Sequence, residues 1–491
     1  MADEKDITSK HPDYVMRIDA WHTMRDTILG EDAVKLAGEK YLPMKSGIKA
    51  ITDKDKQDHA QAAYVMRAEF PEIVAPTIRG SMGLVHAKDS VIELPTALEP
   101  LRERATKDGL TLGQLHRKIT VELFRTGRFA LMPGLIDGAF HLAGYTAEAF
   151  INWDSVEGIL SYSVLDESAF VRDVETNEWA SLEKYRELYL NEENQFTSRM
   201  WIEVTGKSDG GKKTFAPQDE ETSTIQGREG LDFIPLVAVG THDLTVHPDE
   251  MPLYGLAKLA LRSYRLDADY VTALHMTSEP QPYVTGVSKS QAPTTIGAAN
   301  LWVLEDAASK AAFLEFSGPG VSAQQKAIQD TQERAIMFGA QLFSESKRTA
   351  ESGEAIRLRL GNQTSALKMI SVSSADGLEQ ALKFTAIWAG VDPDQVSVEP
   401  NLEFIDQELS PQEITALVQA WQAQAYSKET LFDNLQRGGV VDPEKTFEEE
   451  EEEIEADEQM PDHDPDGIED EPGGLQALIG GLTKGFRSNE T

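Results

Sequence analysis

Two helical stretches flanking a short β-prone insertion constrain this chain more than any other feature. The first runs from Tyr254 to about Ser278 and is stopped by Pro280 and Pro282. Leu256, Ala260, Tyr264, Val271 and Leu274 recur along one side of it. The insertion reads PYVTGV, then a polar loop, then LWVLEDA and AAFLEFSG. Pro319-Gly320 turns the chain, and Ser322, with Gln325 three residues on, predicts the cap of the second helix, through Ala327, Ile328, Ala335, Ile336 and Phe338. At a rise of ~1.5 Å per residue each helix is roughly 30 Å long, over-long for the core of one chain.

The segments around this hairpin alternate in type. HPDYVMRIDAWHTMRDTIL predicts an amphipathic helix with Val15, Ile18, Trp21, Met24 and Ile28 on its apolar stripe. Gly30 interrupts it, and Tyr41-Leu42-Pro43 stops the short helix that follows. A charged linker, DKDKQDH, precedes a helix through Tyr64 and Met66. EIVAPTIRGSMGLVHAKDSVIELP predicts a helix with Pro76 near its first turns and then a strand at Val91–Leu94. Thr111-Leu112-Gly113-Gln114 has capping-box form and opens a helix through Leu123.

From Gly127 to about Gly240 short β-prone runs take over: RFALMPGLI, AFINWD, ILSYSVL, EKYRELYL, RMWIEV and FIPLVAVG. Pro133-Gly134 and GKSDGG are turn-prone separators, and the whole predicts an α+β domain. Beyond the second long helix lies a polar loop, SESKRTAESG. A helical stretch from Glu354 to Trp388 follows, with Gly361 and Ser371-Val372-Ser373-Ser374 as predicted bends, and QVSVEPNLEFI alternates like a strand. Ser410-Pro411-Gln412-Glu413 starts a helix with Ile414, Leu417, Val418 and Trp421 on its apolar face. Ser427 opens another, ended by Gly438-Gly439, before the acid run Glu448–Glu453 and a tail expected to be disordered.

Composition removes whole classes of function. There is no cysteine, which excludes a disulfide framework, a thiolate metal site and a cysteine nucleophile. The start, MADEKDITSKHPDY, lacks the pattern of a signal peptide, and no apolar run is long enough for a membrane helix, so a reducing cytoplasm or a particle assembled there is expected. The net charge is −37. From Val441 onward 18 acids face three bases, which accounts for −15 and leaves −22 on the rest. Such a chain does not hold DNA tightly, because tight phosphate binding is cationic. A DNA partner would have to be one that moves past.

No motif nominates a catalytic, cofactor-binding or metal-binding residue. Gly206-Lys207-Ser208-Asp209-Gly210-Gly211-Lys212-Lys213-Thr214 approaches a phosphate loop, but Lys213 stands where the hydroxyl belongs, and Phe215-Ala216-Pro217 does not open a helix. A hairpin turn is the expectation. His242-Asp243 and His247-Pro248-Asp249-Glu250 offer divalent-ion ligands, yet their Pro and Asp content reads first as a solvated loop. His463 sits in the tail. Lys347 and Arg348, flanked by Ser346 and Thr349, are basic residues in the polar loop; by spacing alone they read as a solvated turn.

The order of elements resembles the portal (head-to-tail connector) proteins of tailed double-stranded-DNA bacteriophages. The N-terminal segment resembles a portal-like family with a W…RD…G…YLP pattern, matched by Trp21, Arg25, Asp26, Gly30, Tyr41, Leu42 and Pro43. EIVAPTIRGSMGLVHAKDSVIELP resembles the helix-to-strand element early in the portal wing, and RTAESGEAIRLR the tunnel loop and the helix behind it. YSKETLFDNLQRGGVVDPEKTFEEEEEE is similar to the crown end of related portals.

The resemblance implies an α+β portal-type fold forming a ring, typically of twelve subunits. It implies a wing at 1–253 with a returning strand near 396–407, stem helices at 254–279 and 320–343, and a clip at 280–319. It further implies a tunnel loop at 344–353, a long bent helix at 354–395, a crown at 408–446 and an acidic disordered tail at 447–491. The implied function is a channel for DNA packaging and ejection at one capsid vertex of the virion, without enzymatic activity or cofactor. The implied partners are other copies of the chain, double-stranded DNA passing without sequence preference, the terminase large subunit, the head–tail adaptor, and the major capsid and scaffolding proteins; no membrane is involved. Ser346, Lys347, Arg348 and Thr349 become channel residues, and the acidic ring a repulsive wall that lets the duplex slide. Two alternatives remain at this point: another ring-forming virion protein of the head–tail or baseplate, and a nucleotide hydrolase.

Overall fold

Capping chemistry sets where the first helices begin. The computed structural model describes residues 6–136, 138–209, 212–222, 230–277, 281–288, 303, 308–314, 319–343, 353–402, 404, 411–423, 425–437, 439–442 and 445–458. They fall in two compact units that divide between Phe404 and Ile405. In the first unit, α1 spans Pro12–Leu29; His11 Nδ1 accepts the Asp13 N–H, and Pro12 sits where a missing N–H costs nothing. Tyr14, Trp21 and Met24 are buried, whereas Val15 is exposed, so the apolar stripe is rotated from the one expected.

The N-terminal sequence pattern turns out to be a set of fasteners. Trp21 is wholly buried and its indole N–H donates to the Thr126 carbonyl at 3.0 Å. Arg25 donates to both oxygens of Glu122, at 3.0 and 2.5 Å, and to both oxygens of Glu148, at 2.8 and 3.0 Å. Asp26 accepts from the Tyr41 hydroxyl and Lys40 Nζ. Gly30, at φ +95°, separates α1 from α2 (Glu31–Leu36).

Helices α3 (Ser46–Lys49), α4 (Lys54–Arg67) and α5 (Val74–Val85) follow. The DKDKQDH segment is not a linker. Asp53 accepts the Lys56 N–H and caps α4, so the charged residues form its first turns. Strand β1 (Val91–Glu93) precedes α6 (Leu112–Thr126), whose capping box is formed as expected, with Thr111 and Gln114 exchanging hydrogen bonds. Gly127 ends α6 at φ +71°, and a side chain there would strike the Glu250 carbonyl, so glycine is required on both counts.

The β region is antiparallel. Strands β2 (Arg128–Ile136) and β3 (Ala139–Thr146) form one sheet with β11 (Val237–Gly240), in the order β11-β2-β3. A second sheet takes β4 (Phe150–Val156), β5 (Ile159–Asp166), β8 (Lys184–Leu190), β9 (Phe196–Asp209) and β10 (Lys212–Thr222), in the order β10-β9-β8-β5-β4. Strands β6 (Ala169–Arg172) and β7 (Trp179–Leu182) pair only with each other. Pro133-Gly134 does not make a turn but lies inside β2. The β11 partner stops opposite Leu131, so the N–H that proline lacks has no ladder to serve on that side.

Helix α7 (Tyr254–Thr277), strands β12 (Gln281–Thr285) and β13 (Lys310–Leu314), and helix α8 (Pro319–Phe343) come next. LWVLEDA falls largely outside the described residues. Helix α8 starts at Pro319 rather than at Ser322, because a proline fits the first turn. Helix α9 (Gly353–Ala389) runs unbroken for 37 residues through the serine run expected to bend it. Ser373 Oγ donates to the Gly240 carbonyl at 2.7 Å and Ser371 Oγ to the Asn401 carbonyl at 3.1 Å, so these hydroxyls dock the helix instead of disturbing it. The last strand, β14 (Ser397–Glu399), pairs antiparallel with β1 and is much shorter than QVSVEPNLEFI suggested.

The second unit contributes α10 (Pro411–Gln422), α11 (Lys428–Arg437) and α12 (Phe447–Glu458). Residues 447–458 are helical where disorder was expected, and the rest of the tail lies outside the described residues. Thr446 and Glu449 form a capping box, carboxylates favour the positive end of a helix, and Lys445 pairs with Glu450 and Glu453. Phe447 meets Phe432 edge-on at 5.6 Å.

Among the described residues, removing Arg25 leaves the buried Glu122 paired only with Arg125 and takes from Glu148 its ion-pair partner. Arg25→Ala is expected to lower unfolding stability by about 3 kcal/mol in urea titration, and Arg25→Lys to recover only part, because an ammonium cannot serve two carboxylates with five directed donors.

Candidate functional site

The feature with the clearest shape is the hairpin of α7, β12–β13 and α8. Its base is set in the core. Leu256, Ala257, Ala260, Leu261, Tyr264 and Ala268 of α7 are buried, and Phe338 of α8 lies so close to Gly255 that a side chain there would collide with its ring. Helix α4 braces α7 from outside. Asp269 accepts from the Tyr64 hydroxyl and from Lys45 Nζ, both at 2.8 Å, and Asp267 accepts the Glu69 N–H at 2.7 Å.

Arg67, at the end of α4, reaches His275 in the last turn of α7 at 3.1 Å, but the outer faces of both helices keep exposed apolar groups. Met276 of α7 is 74% exposed at the far end, and Ile336 and Met337 of α8, next to Phe338 at the base, are each 68% exposed. Among the described residues of α8 only Thr331 and Ala335 are buried. The far end carries the ribbon β12–β13, registered from Gln281 opposite Leu314 to Thr285 opposite Lys310. An arm of two long helices tipped by two strands thus has its buried residues toward one end.

The expected channel residues Ser346, Lys347, Arg348 and Thr349 lie outside the described residues, between the end of α8 at Phe343 and the start of α9 at Gly353. His463 also lies outside them. The phosphate-loop look-alike is the end of the β9–β10 hairpin, where Asp209 pairs with Lys212. Lys213 there binds Glu183 and Glu203.

His242 and His247 do not converge. His242 shares a contact with Asp249 at 3.4 Å, while His247 turns to Asp13, also at 3.4 Å. Their loop is pinned from beneath: Arg17 donates to the Asp249 carbonyl and the buried Arg128 to the Val246 carbonyl. Arg128 lies 4.0 Å from both the Phe150 and Trp153 rings, and burial lowers its pKa to about 9. Among the described residues no group of three His, Asp or Glu side chains is arranged to hold a metal ion.

A polar cluster without any local sequence signature sits where α5, α6 and α9 meet. Ser374 of α9 gives its hydroxyl proton to the Ser371 carbonyl at 2.9 Å, so its oxygen is left to accept from His116 Nε2 at 3.1 Å. His116 Nδ1 then takes the Ser90 hydroxyl at 3.2 Å. Thr120 Oγ1 touches both Ser374 and His86 Nε2, and the two imidazoles meet edge to face at 5.0 Å. Burial pushes His116 down to about 3 and His86 down to about 4, assisted by the positive charge of Arg117. A cavity of about 270 Å³, lined in part by His86, Asp89, Ser90, Arg102 and His116, reaches this cluster. The arrangement holds neutral histidines as hydrogen-bonding pegs. Its partners stand 258 residues apart in the chain, which is why no local spacing announced it.

Residues 252–389, which hold the arm and α9, match the family model described as "Domain of unknown function (DUF4055)". No curated protein matches the chain. Solved structures similar to it include a chain in the virion of a native gene transfer agent (GTA) particle, at 13% identity and a TM-score of 0.37, covering 75% of this chain and 90% of that one. Another comes from the neck of the native GTA particle computed with C12 symmetry, at 14% identity and a TM-score of 0.38, covering 76% and 92%. A third, from the neck of the empty GTA particle computed with C6 symmetry, has 12% identity and a TM-score of 0.35, covering 76% and 94%. Among the described residues no helix is long and apolar enough to cross a membrane.

Both histidines have folded-state pKa values below the ordinary 6.5, so the unfolded chain binds more protons in mild acid. Their contribution to stability is complete above pH 6.5 and is lost as pH falls from there through about 4 for His86 and about 3 for His116. The double variant His86→Gln, His116→Gln should show a shallower fall in urea midpoint over that window, by up to about two protons' worth of slope. An unchanged slope would remove the cluster from the acid response.

Proposed function

We propose that this chain is the portal subunit of a tailed double-stranded-DNA bacteriophage, assembling as a ring, in number twelve, through which the genome is packaged and ejected. The observation that carries the reading is the arm. Two helices of 24 and 25 residues, tipped by a β ribbon and buried mainly toward the base, leave apolar groups exposed that neighbouring copies would bury. In that reading α7 and α8 are the stem, the β12–β13 end is the clip that meets the terminase large subunit and later the head–tail adaptor, and α9 leads on toward the crown. The wider body takes the place of the wing, set among capsid and scaffolding proteins.

The role needs no chemistry from the protein. A strongly acidic ring repels a duplex along most of its wall, which favours passage over retention. Lys347 and Arg348, with Ser346 and Thr349, belong to the segment that joins α8 to α9, and in a ring they would touch phosphates briefly and without reading sequence.

Electron microscopy of the purified full-length protein, with mass measurement alongside, tests the reading. Rings with an opening wide enough for a duplex are expected; a monomer under every salt and ion condition would count against it. Given rings, Lys347→Ala with Arg348→Ala should leave them intact while lowering DNA packaged per particle. Normal packaging by that variant would remove the loop from the channel.

A further inference from the structure

Helix α7 carries a line of cations on its outer side. Lys258, Arg262 and Arg265 stand at i, i+4 and i+7, so they share one helical face, and all three are exposed. Among the described residues none of the three is ion-paired to a carboxylate. The acids nearest in sequence are engaged elsewhere: Asp269 accepts from the Tyr64 hydroxyl and from Lys45, and Asp267 accepts the Glu69 N–H. Lys258 Nζ lies over the Tyr254 ring at 4.3 Å, and Arg265 gives one donor, Nε, to the Leu261 carbonyl. In a chain of net charge −37, three neighbouring cations without a counter-charge are an exception that calls for one from outside.

The two helices of the arm differ in what they offer a partner. From Tyr254 to Ala273, α7 exposes no large apolar side chain, whereas α8 exposes Ile336 and Met337. Contacts between protein copies centre on apolar groups and keep unpaired charge out of their middle. The α8 face therefore suits a neighbouring copy, and the cationic face of α7 suits a polyanion. Nor does α8 of a neighbouring copy supply the missing charge, because its Lys326 and Arg334 balance its Asp330 and Glu333. The three cations span roughly 10 Å of helix, about the axial rise of three successive phosphates on one strand of a duplex. A phosphate backbone can meet such a row without any contact to the bases.

We infer that the Lys258, Arg262 and Arg265 stripe of α7 contacts the phosphate backbone of duplex DNA. The inference rests on the ring reading above and names a contact within the arm. Acids dominate the rest of the chain, so the contact is weak and salt-sensitive and does not hold the duplex still. Rings of the full-length protein are titrated with a fluorescent duplex of about 30 base pairs across roughly 25 to 200 mM salt. Lys258→Gln with Arg262→Gln and Arg265→Gln should lower affinity at the low-salt end by about tenfold or more and flatten the logarithmic salt slope by about two or more. Lys258→Arg with Arg262→Lys and Arg265→Lys should keep both. Lys347 and Arg348 stay in place in every variant, so a lost slope belongs to α7. The chain has no native cysteine, so Arg262→Cys can carry a single photoreactive azide. Light should join that position to the duplex, and the same label on Ile336→Cys of α8 should give no product. An unchanged slope with no cross-link from position 262 would overturn the inference and leave the ring reading standing. Loss of rings from the glutamine variant, with rings kept by the charge-conserving one, would assign the stripe to contact between copies and overturn it as well. Absence of rings from the parent protein would overturn the ring reading itself.

Discussion

Helix α9 lies against α6 and β11 through small polar residues, and the rest of the first unit is organised around that contact. Ser373 reaches the Gly240 carbonyl, Ser374 reaches His116, and Gly377 has no side chain because Val239 occupies the space one would need. A large residue at any of the three would hold helix and sheet apart. Close approach lets Leu378, Ala381, Leu382 and Ala386 complete the same core that Phe129, Leu131 and Val239 fill from the sheet. Hydroxyls that would weaken an isolated helix are harmless here because each has a fixed acceptor.

That anchorage gives the two-helix arm a fixed base. Helix α8 enters the body near Gly255 and Phe338, and α9 leaves from the far side of the segment 344–352 to sink into the core. The arm and the long helix are therefore one mechanical unit at their buried ends. Arg25, holding Glu122 of α6 and Glu148 near β4, ties the N-terminal helices to the same body. Buried ions of this kind are costly to desolvate, and their value is geometric: two carboxylates and one guanidinium fit together in few arrangements.

Local chemistry made much of this legible. Thr111 and Gln114 declared the start of α6, the prolines after Thr277 its end for α7, and alternation the strands between Gly127 and Gly240. Errors arose where a local signal had a distant answer. Pro133-Gly134 looked like a turn because nothing nearby revealed that β11 stops short of it. Ser371 and Ser373 gave no local sign that they dock the helix, because their acceptors sit on other elements. The acid run looked disordered because like charges repel, yet Thr446, Lys445 and the start of a helix offset that repulsion.

The candidate site divides the same way. The sequence by itself determined the order of elements, the helix–β–helix arm, the absence of cysteine chemistry and the large negative charge, because each depends on residues close together or on a simple sum. The tertiary structure alone decided that His242 and His247 part company, that His86 and His116 meet, and that the pattern from Trp21 to Leu42 fastens helices to the body. These facts depend on which distant segments share one solvent-free space, and burial, not spacing along the chain, sets what a polar or apolar side chain can do there.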